Sequence, residues 1–404
     1  MDILNHAYRL VKANKGAPGI DGETFERTEE RGGGVEKYLE EIAGKLKRRE
    51  YKPQAVRRVY IPKAGGGKRP LGIAVIKDRA VQMAVKIVIE PIFEADFQDN
   101  SYGFRPKRSA HQAVDDVRKH LFEGKIDIID ADISKYFDTI PHDKLMQLVA
   151  KRIVDKHILR LIKMWLKAPI VEDREDGKKE YKGNDKGTPQ GGVISPLLAN
   201  IYLNVLDTLW TVKKVQERRG ARLVRYADDS VILCRGNTAR ILKGLKTVLS
   251  DLGLTLNEEK TRVMDARQGS FNFLGFAIGM KQGWRTGKIY PHIEPSKKAQ
   301  KQIRSDIKQL TTERYSAIPT EDVIRNVNEV ARGWVGYFRY GNCTKALSSL
   351  RRYLVYRIRI YLRRKHRYRG FGYKAYPDKY YFESLGLYEV PTKAPWSQPA
   401  NASG

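Results

Sequence analysis

The amino-acid sequence predicts an α+β protein, and three features of the chain carry that prediction. Up to about residue 280, apolar runs of strand length alternate with segments whose apolar residues recur at helical spacing. From residue 296 to residue 365 the helical spacing continues in basic segments without a clear strand. Residues 223–234 contain two apolar, β-rich runs around Ala-Asp-Asp-Ser, a pattern typical of an antiparallel hairpin with a tight turn.

The elements before residue 100 are predicted from spacing and from turn residues. Apolar positions at the N-terminus recur at helical spacing, and a turn rich in Gly and Pro follows them. The predicted order is a helix at 1–14, a turn at 16–22, a helix at 35–49, a strand at 56–62, a turn at 64–68 and a helix at 78–97.

The chain is strongly basic, which bears on its partners more than on its fold. Its 404 residues include 76 Lys and Arg against 47 Asp and Glu, for a formal net charge of +29. Nucleic acid is the first partner to expect, because each phosphate that is neutralised releases counterions. A basic protein that associates with the ribosome is the alternative.

The charge is dense in residues 351–374, which contain ten Arg or Lys, five Tyr, one Phe and no acidic residue. Guanidinium groups pair with phosphates and aromatic rings stack on bases, so this segment is predicted to bind nucleic acid. A basic helix that packs its tyrosines into its own domain is the alternative. The predicted nucleic-acid-binding residues are Arg351, Arg352, Arg357, Arg359, Arg363, Arg364 and Lys365.

Cysteine content and hydropathy exclude several other classes. Two cysteines, Cys234 and Cys343, are too few for a disulfide framework or a four-cysteine zinc site, and their scarcity favours a cytoplasmic location. The N-terminus lacks the pattern of a signal peptide. No apolar run reaches 18 residues, so neither a membrane span nor a membrane partner is predicted. The last dozen residues, rich in Pro, Ser and Ala, are expected to form a loose tail.

The first candidate catalytic residue follows an apolar run at residues 126–129. Asp132 is predicted to lie at the end of this buried strand, with Asp130 and Asp138 as nearby alternatives. A carboxylate that emerges from a core strand is costly unless it is paired or binds a metal. Taken alone, Asp132 is explained as well by an ordinary strand-end residue that accepts backbone hydrogen bonds.

The second candidate is the pair Asp228 and Asp229, adjacent at the predicted hairpin tip. These two carboxylates would repel each other unless a cation lies between them. Together with Asp132 they supply oxygen ligands of the kind that Mg²⁺ prefers. Two such ions can activate a hydroxyl and stabilise the leaving group in phosphoryl transfer.

The segments around these aspartates resemble the reverse transcriptases encoded by group II introns. YADD at 226–229 is similar to the signature hairpin of that family, and GTPQGGVISPLLAN at 187–200 is similar to its template- and nucleotide-positioning segment. Further collinear matches are GAPGIDG at 16–22, IPK through KRPLGI within 61–73, SYGFRP at 101–106, FLGF at 273–276 and RGWVGYF at 332–338. The resemblance runs from residue 1 to about residue 365.

The resemblance implies a right-hand polymerase with fingers, an antiparallel-sheet palm and a helical thumb. The implied domains are an N-terminal extension at 1–55, fingers and palm at 56–285, a thumb at 286–350, and a basic C-terminal segment with a tail at 351–404. The implied activity is RNA-directed DNA polymerisation with two Mg²⁺ ions, and the implied partners are an RNA template, a DNA primer, dNTPs and a structured intron RNA whose splicing the protein assists.

The resemblance also implies roles for single residues at the metal site. Asp132, Asp228 and Asp229 would hold the ions, with help from the backbone carbonyl of Ile133. Lys260 would donate a proton to the leaving pyrophosphate, and a helix-surface charge is its plainer alternative.

Four further residues are implied to bind the incoming nucleotide. Lys63 and Arg69, beside the glycine-rich turn, would grip the triphosphate, although solvated hairpin charges explain them too. Gln190 would pack near the nucleotide or cap a turn. Phe137, five residues after Asp132, would exclude the 2′-hydroxyl of a ribonucleotide or serve as a core aromatic.

The sequence departs from the fuller family pattern near its end. Residues beyond 366 do not match the usual maturase region, and two cysteines cannot build the Cys- and His-bearing nuclease of many relatives, so no cleavage of target DNA is expected. Splicing assistance is therefore less firmly implied than polymerisation. The alternatives are a host-adapted relative in DNA repair, phage defence or CRISPR spacer acquisition, an RNA-binding maturase with an inactive palm, and a polymerase that uses another template.

Overall fold

A computed structural model describes residues 1–62, 67–174, 178–284, 286–370, 372–373 and 376–394. Lys63 and residues 395–404 of the predicted tail lie outside the described residues. The chain forms two compact units, the first comprising Met1–Val117 and Asp127–Val263 and the second Arg118–Ile126 and Met264–Gly404.

The helices and strands follow one another in mixed order, as an α+β fold requires. The helices are α1 Asp2–Ala13, α2 Phe25–Glu30, α3 Gly34–Lys47, α4 Ile76–Glu94, α5 Ala110–Phe122, α6 Tyr136–Thr139, α7 His142–Ala150, α8 Lys156–Leu166, α9 Ser195–Val212, α10 Val215–Arg219, α11 Thr238–Asp251, α12 Lys297–Leu310, α13 Thr320–Phe338 and α14 Thr344–Lys365. The strands are β1 Val56–Pro62, β2 Lys68–Ile73, β3 Asp127–Asp132, β4 Ile170–Asp173, β5 Lys179–Lys182, β6 Arg222–Tyr226, β7 Asp229–Cys234, β8 Arg262–Asp265, β9 Ser270–Phe273, β10 Phe276–Gln282 and β11 Ile289–Pro295.

One sheet of the first unit contains the predicted glycine-rich hairpin. Its order is β2-β1-β4-β5. β1 pairs antiparallel with β2, from Arg57 opposite Ile73 to Pro62 opposite Lys68, so the strand predicted at residues 56–62 is confirmed. Burial falls along β1 from Val56 toward Pro62. The end of the hairpin that approaches the glycine-rich turn is therefore exposed to solvent.

The second sheet of this unit has the order β6-β7-β3-β8, and β7 pairs antiparallel with both β6 and β3. Consecutive residues on each of the three strands are buried, which means that both faces of the sheet are covered. The fully buried side chains are Leu223, Val224, Val231, Ile232, Leu233, Ile128 and Ile129. The apolar runs in the sequence are long because neither face of this sheet meets water, and the predicted hairpin at residues 223–234 is confirmed.

The second unit combines a three-stranded antiparallel sheet, β11-β10-β9, with helices α12, α13 and α14. Ser296 caps α12, because its Oγ accepts a hydrogen bond of 3.1 Å from the backbone N of Ala299. Ile307, Val327 and Ile358, one from each helix, are fully buried in a common core. The basic helices predicted between residues 296 and 365 are confirmed.

In the part of the chain that the structure describes, none of the helices combines the length and the apolar character needed to cross a lipid bilayer.

Candidate active site

The turn between β6 and β7 places two of the predicted carboxylates at one end of the central sheet. Tyr226 pairs with Asp229 across the hairpin, which leaves Ala227 and Asp228 as the two turn residues. Ala227 has a left-handed backbone with φ of 57°, as tight hairpin turns require. On the other side of β7, Asp229 pairs with Asp132 in the register of β3 and β7. Carboxylates that are distant in the sequence therefore meet at one end of the sheet.

These carboxylates share a poorly solvated and negative environment. Burial is the main cause that raises the pKa of Asp228 above its ordinary value. Asp229 touches solvent at the tip, but burial of its carboxylate, and then the charges of Asp228 and Asp132, raise its pKa to about 6. The positive charge of the Arg69 guanidinium lowers the pKa of Asp228 and of Asp229. A further cation would stabilise the charged form of this cluster.

The donor set suits a magnesium ion whose remaining ligands come from the substrate. Among the described residues, no group of three or more His, Cys, Asp or Glu side chains forms a preformed metal cage. Mg²⁺ does not need one, since it binds through one or two carboxylates, water and substrate phosphates. Asp132, Asp228 and Asp229 provide hard oxygen donors at the same end of the sheet, and this type of donor suits such an ion. Ile133, the predicted backbone ligand, is buried beside them and bridges to Leu256.

Lys260 lies at the same carboxylates. Its Nζ is 3.3 Å from Oδ2 of Asp132. The segment that carries it is fixed to β3, because the backbone N of Asn257 donates to the backbone O of Asp132 at 2.8 Å. The Lys260 side chain is 65% exposed and that of Asp132 is 34% exposed. The structure thus brings Lys260 to the predicted site, and its role as a proton donor stays a prediction.

The fingers hairpin and the segment before α9 meet through Arg69 and Gln190. The Nε of Arg69 donates to Oε1 of Gln190 at 3.0 Å. The backbone N of Gly72, further along β2, donates to the carbonyl O of Gln190 at 2.5 Å. Two of the predicted nucleotide-binding residues are therefore neighbours. Lys63, the third, lies outside the described residues.

Phe137 is buried, with 8% of its surface exposed, and its ring packs edge-on against Tyr136 at 5.5 Å between centroids. Its carbonyl O accepts a hydrogen bond of 2.7 Å from the backbone N of Thr188. A Cβ at Gly187 would lie 2.5 Å from that same oxygen, so only glycine permits this approach. The burial fits a core aromatic, the contact places the backbone of Phe137 at the nucleotide-positioning segment, and its role as a sugar gate stays a prediction.

Five of the predicted nucleic-acid-binding residues retain contact with solvent in α14. Arg352 and Arg364 are exposed, while Arg351, Arg363 and Lys365 are partly buried. Arg351 forms an ion pair of 2.6 Å with Glu389. Lys365 donates through Nζ to the carbonyl O of Ile318 at 2.5 Å. Arg352 and Arg364 are thus the most accessible of the set.

The structure corrects the prediction for two arginines of this segment, Arg357 and Arg359, because both are buried. Both are 8% exposed. The Nε of Arg357 donates to Oγ1 of Thr311 at 3.0 Å, and the Nε of Arg359 donates to the hydroxyl of Tyr381 at 3.0 Å. Their guanidinium groups hold neighbouring elements of the second unit together and are closed off from a nucleic acid. The helical spacing of this basic segment could not show which arginines face inward.

A buried polar network next to the hairpin turn was not predicted from the sequence. Its members are Asn100, Asn200, Asp207 and Arg225, each at most 5% exposed. A signal was present, because Arg225 interrupts an apolar strand and Asp207 interrupts the apolar face of α9. Charges in such settings are costly unless they are paired, so each one indicated a partner elsewhere in the chain.

An antiparallel palm sheet with three carboxylates at its hairpin end defines a polymerase of the right-hand class. The family model described as reverse transcriptase (RNA-dependent DNA polymerase) matches residues 61–278. A second model, described as group II intron, maturase-specific domain, matches residues 300–380. This second match continues past residue 365, where the resemblance ended, and it corrects the expectation for residues 366–380.

Curated relatives give the same result. The chain is 35% identical over 318 residues to protein YkfC of Escherichia coli K12, covering 69% of this chain and 81% of that protein. It is 32% identical to the group II intron-encoded protein LtrA of Lactococcus lactis, covering 71% of this chain and 57% of LtrA. It is 28% identical to an uncharacterized 91 kDa protein in the cob intron of Schizosaccharomyces pombe, covering 84% and 49% respectively. The chain thus spans about half the length of the last two relatives.

Among solved structures, telomerase from Candida albicans in complex with a fragment of telomeric RNA covers 87% of this chain and 69% of its own. The TM-score of 0.49 and the identity of 13% are too low to bear on function.

The chain therefore belongs to the reverse transcriptase family and carries a group II intron maturase-specific domain. The predicted right-hand fold and the predicted enzyme class, an RNA-directed DNA polymerase, are confirmed.

Proposed function

We propose that this protein extends a DNA primer on an RNA template by attack of the primer 3′-hydroxyl on the α-phosphate of a dNTP, with release of pyrophosphate. The observation that carries the proposal is the pairing of Asp132 with Asp229 beside Asp228. Two magnesium ions bound there would lower the pKa of the attacking hydroxyl and stabilise the leaving phosphate. The three carboxylates would hold the ions.

Other residues of the first unit would position the substrate. Arg69, which lies close enough to lower the pKa of both turn carboxylates, would bind the triphosphate. Gln190, held by Arg69 and Gly72, would set the position of the incoming nucleotide. Phe137 would contact the sugar, and the Lys260 ammonium beside Asp132 would give a proton to the departing pyrophosphate.

The test is primer extension on poly(rA) with an oligo(dT) primer, dTTP and magnesium. Wild type is expected to extend the primer and Asp228→Ala to fail. Glu50→Ala, which removes a carboxylate with 56% side-chain exposure that pairs with Arg48, serves as the matched control and should extend normally. Tight RNA binding by a wild-type protein that extends nothing would overturn the enzymatic proposal.

We further propose that the second unit binds a structured group II intron RNA and assists its splicing. The match to a maturase-specific domain at residues 300–380 and the exposed arginines of α14 support this. The measurement is binding of a group II intron RNA against an unrelated folded RNA of equal length at the same salt concentration. Equal affinity for both RNAs would contradict an intron-specific role and would leave the polymerase proposal untouched.

A further inference from the structure

A buried ion pair lies next to the hairpin turn formed by Ala227 and Asp228. Arg225, on β6, is 1% exposed and Asp207, on α9, is 0% exposed. The Nε of Arg225 donates to Oδ2 of Asp207 at 3.0 Å. Asn100 donates from Nδ2 to the other carboxylate oxygen of Asp207 at 2.7 Å. Both oxygens of Asp207 are therefore satisfied inside the unit, and the pair is enclosed by polar partners.

The same guanidinium reaches the turn itself. Nη1 of Arg225 donates to the carbonyl O of Ala227 at 2.9 Å and to Oδ1 of Asn200 at 3.0 Å. The Ala227 carbonyl belongs to the peptide that joins Ala227 to Asp228. Because a peptide unit is planar, fixing its oxygen fixes the orientation of the backbone that carries the Asp228 side chain.

The turn is also held by a second segment of the chain. A Cβ at Gly103 would lie 2.4 Å from the backbone N of Ala227, so the backbone at Gly103 packs closely against the turn. Asn200 donates from Nδ2 to the carbonyl O of Gly103 at 2.7 Å. The backbone N of Tyr102 donates to the carbonyl O of Arg225 at 2.8 Å. The segment SYGFRP and the segment that begins α9 are thus tied to the turn through one network.

We propose that Arg225 and Asp207 are positioning residues that set the direction of the Asp228 carboxylate. A buried ion pair is often no more stabilising than apolar side chains of the same size, so stability alone does not account for two enclosed charges. The planar guanidinium has five donors in a fixed arrangement and bonds Asp207, Asn200 and Ala227 at once. A lysine ammonium at this position keeps the charge but cannot reach all three partners.

This inference rests on the proposed polymerase function, and the experiment separates the two. Arg225→Lys and Asp207→Asn are compared with Asp78→Asn, which neutralises a buried carboxylate on α4 that lies outside the network around the turn. Asp78 is 2% exposed, and its two carboxylate oxygens accept hydrogen bonds from the Tyr51 hydroxyl at 2.7 Å and from the backbone N of Gln54 at 2.8 Å. The readouts are kcat, KM for dTTP and the magnesium requirement, together with hydrogen–deuterium exchange of residues 226–230 without metal or substrate.

For Arg225→Lys and Asp207→Asn we expect kcat to fall about 10- to 100-fold, since a displacement of about 1 Å at a reacting group can cost that much. KM for dTTP should stay within about twofold, the magnesium requirement should rise, and exchange at the turn should accelerate. Asp78→Asn should leave kcat and turn exchange within about twofold of wild type.

The outcomes are distinguishable. Equal losses in Arg225→Lys and Asp78→Asn, with unchanged exchange at the turn, would overturn the positioning role. If wild type extends no primer, the polymerase proposal fails, and the exchange comparison still decides whether Arg225 holds the turn. If Asp207→Asn does not fold, Gly103→Ala displaces the turn through its contact with Ala227 and must also lower kcat while leaving KM within about twofold.

Discussion

Arg69 donates a hydrogen bond of 3.0 Å from its Nε to Oε1 of Gln190, a residue 121 positions away in the sequence. Arg69 also lowers the pKa of Asp228 and of Asp229, whereas burial raises both. One side chain therefore connects the fingers hairpin, the nucleotide-positioning segment and the carboxylate cluster. A triphosphate that binds beside the aspartates would meet a guanidinium whose orientation is already set.

Replacement of Arg69 by alanine is expected to raise KM for dNTP by about 10-fold or more, because a hydrogen bond to a charged group contributes roughly 1.5–3 kcal/mol. Gln190→Ala should raise it less. The double variant should lose less than the sum of the two single losses, by about 1 kcal/mol, because the two side chains are in contact. Steady-state kinetics with a limiting dNTP provides the measurement.

The matched control for Arg69 is Lys182→Ala, which removes a lysine with 47% side-chain exposure from β5, the other edge of the same sheet. It should leave KM unchanged. If the effects of Arg69→Ala and Gln190→Ala simply add, the two side chains act independently and their proposed coupling is wrong.

Truncation of Phe137 to alanine is expected to have two effects. Loss of a buried ring should lower the free energy of unfolding by about 3 kcal/mol. If the ring also contacts the sugar, the variant should incorporate ribonucleotides more readily than wild type. Phe97 is buried to the same 8% exposure, so Phe97→Ala should lose similar stability and keep its sugar selectivity. Identical selectivity in both variants would identify Phe137 as a core residue only.

Magnesium is expected to raise the midpoint of thermal unfolding by a few degrees, because a ligand that binds the folded state stabilises it. Asp229→Asn should unfold at a higher temperature than wild type in a chelator, since it removes one of several carboxylates that oppose each other's charge. The same variant should gain little from magnesium. Differential scanning fluorimetry with and without chelator tests both statements, and an undiminished magnesium effect in Asp229→Asn would exclude that carboxylate as a ligand.

Neutralisation of Arg352 and Arg364 is expected to weaken RNA binding and to flatten its salt dependence. The logarithmic slope should fall by up to about 0.7–0.9 for each phosphate that the variant no longer neutralises. Titrations of RNA binding at several salt concentrations measure that slope. An unchanged slope would place these two exposed arginines away from the RNA.

Arg357→Gln serves as the comparison on the same helix. Its guanidinium is buried against Thr311, so the change should lower the free energy of unfolding by about 2 kcal/mol and leave the salt dependence of the folded protein unaltered. A reduced slope in this variant would show that burial of Arg357 does not keep it from RNA.

Local patterns in the sequence were sufficient to predict several of the helices and strands. Apolar period and turn chemistry predicted α1, β1 and the hairpin of β6 and β7 close to their observed bounds, since these features depend on residues near one another in the chain. Asp228 and Asp229 could be named for the same reason, because they lie between two apolar strands, whereas the local pattern left Asp130 and Asp138 as alternatives to Asp132. Their chemical meaning depended on the resemblance of the surrounding segments to a known family.

The sequence by itself determined the class of fold and the basic character of the chain, and it predicted which carboxylates form the metal site. The tertiary structure alone decided which residues meet: Asp132 with Asp229, Arg69 with Gln190, and Arg225 with Asp207. It also decided that Arg357 and Arg359 face inward while Arg352 and Arg364 face solvent. The physical reason is that strand register and helix orientation are set by the burial of apolar faces against partners far along the chain, and no local pattern specifies those partners.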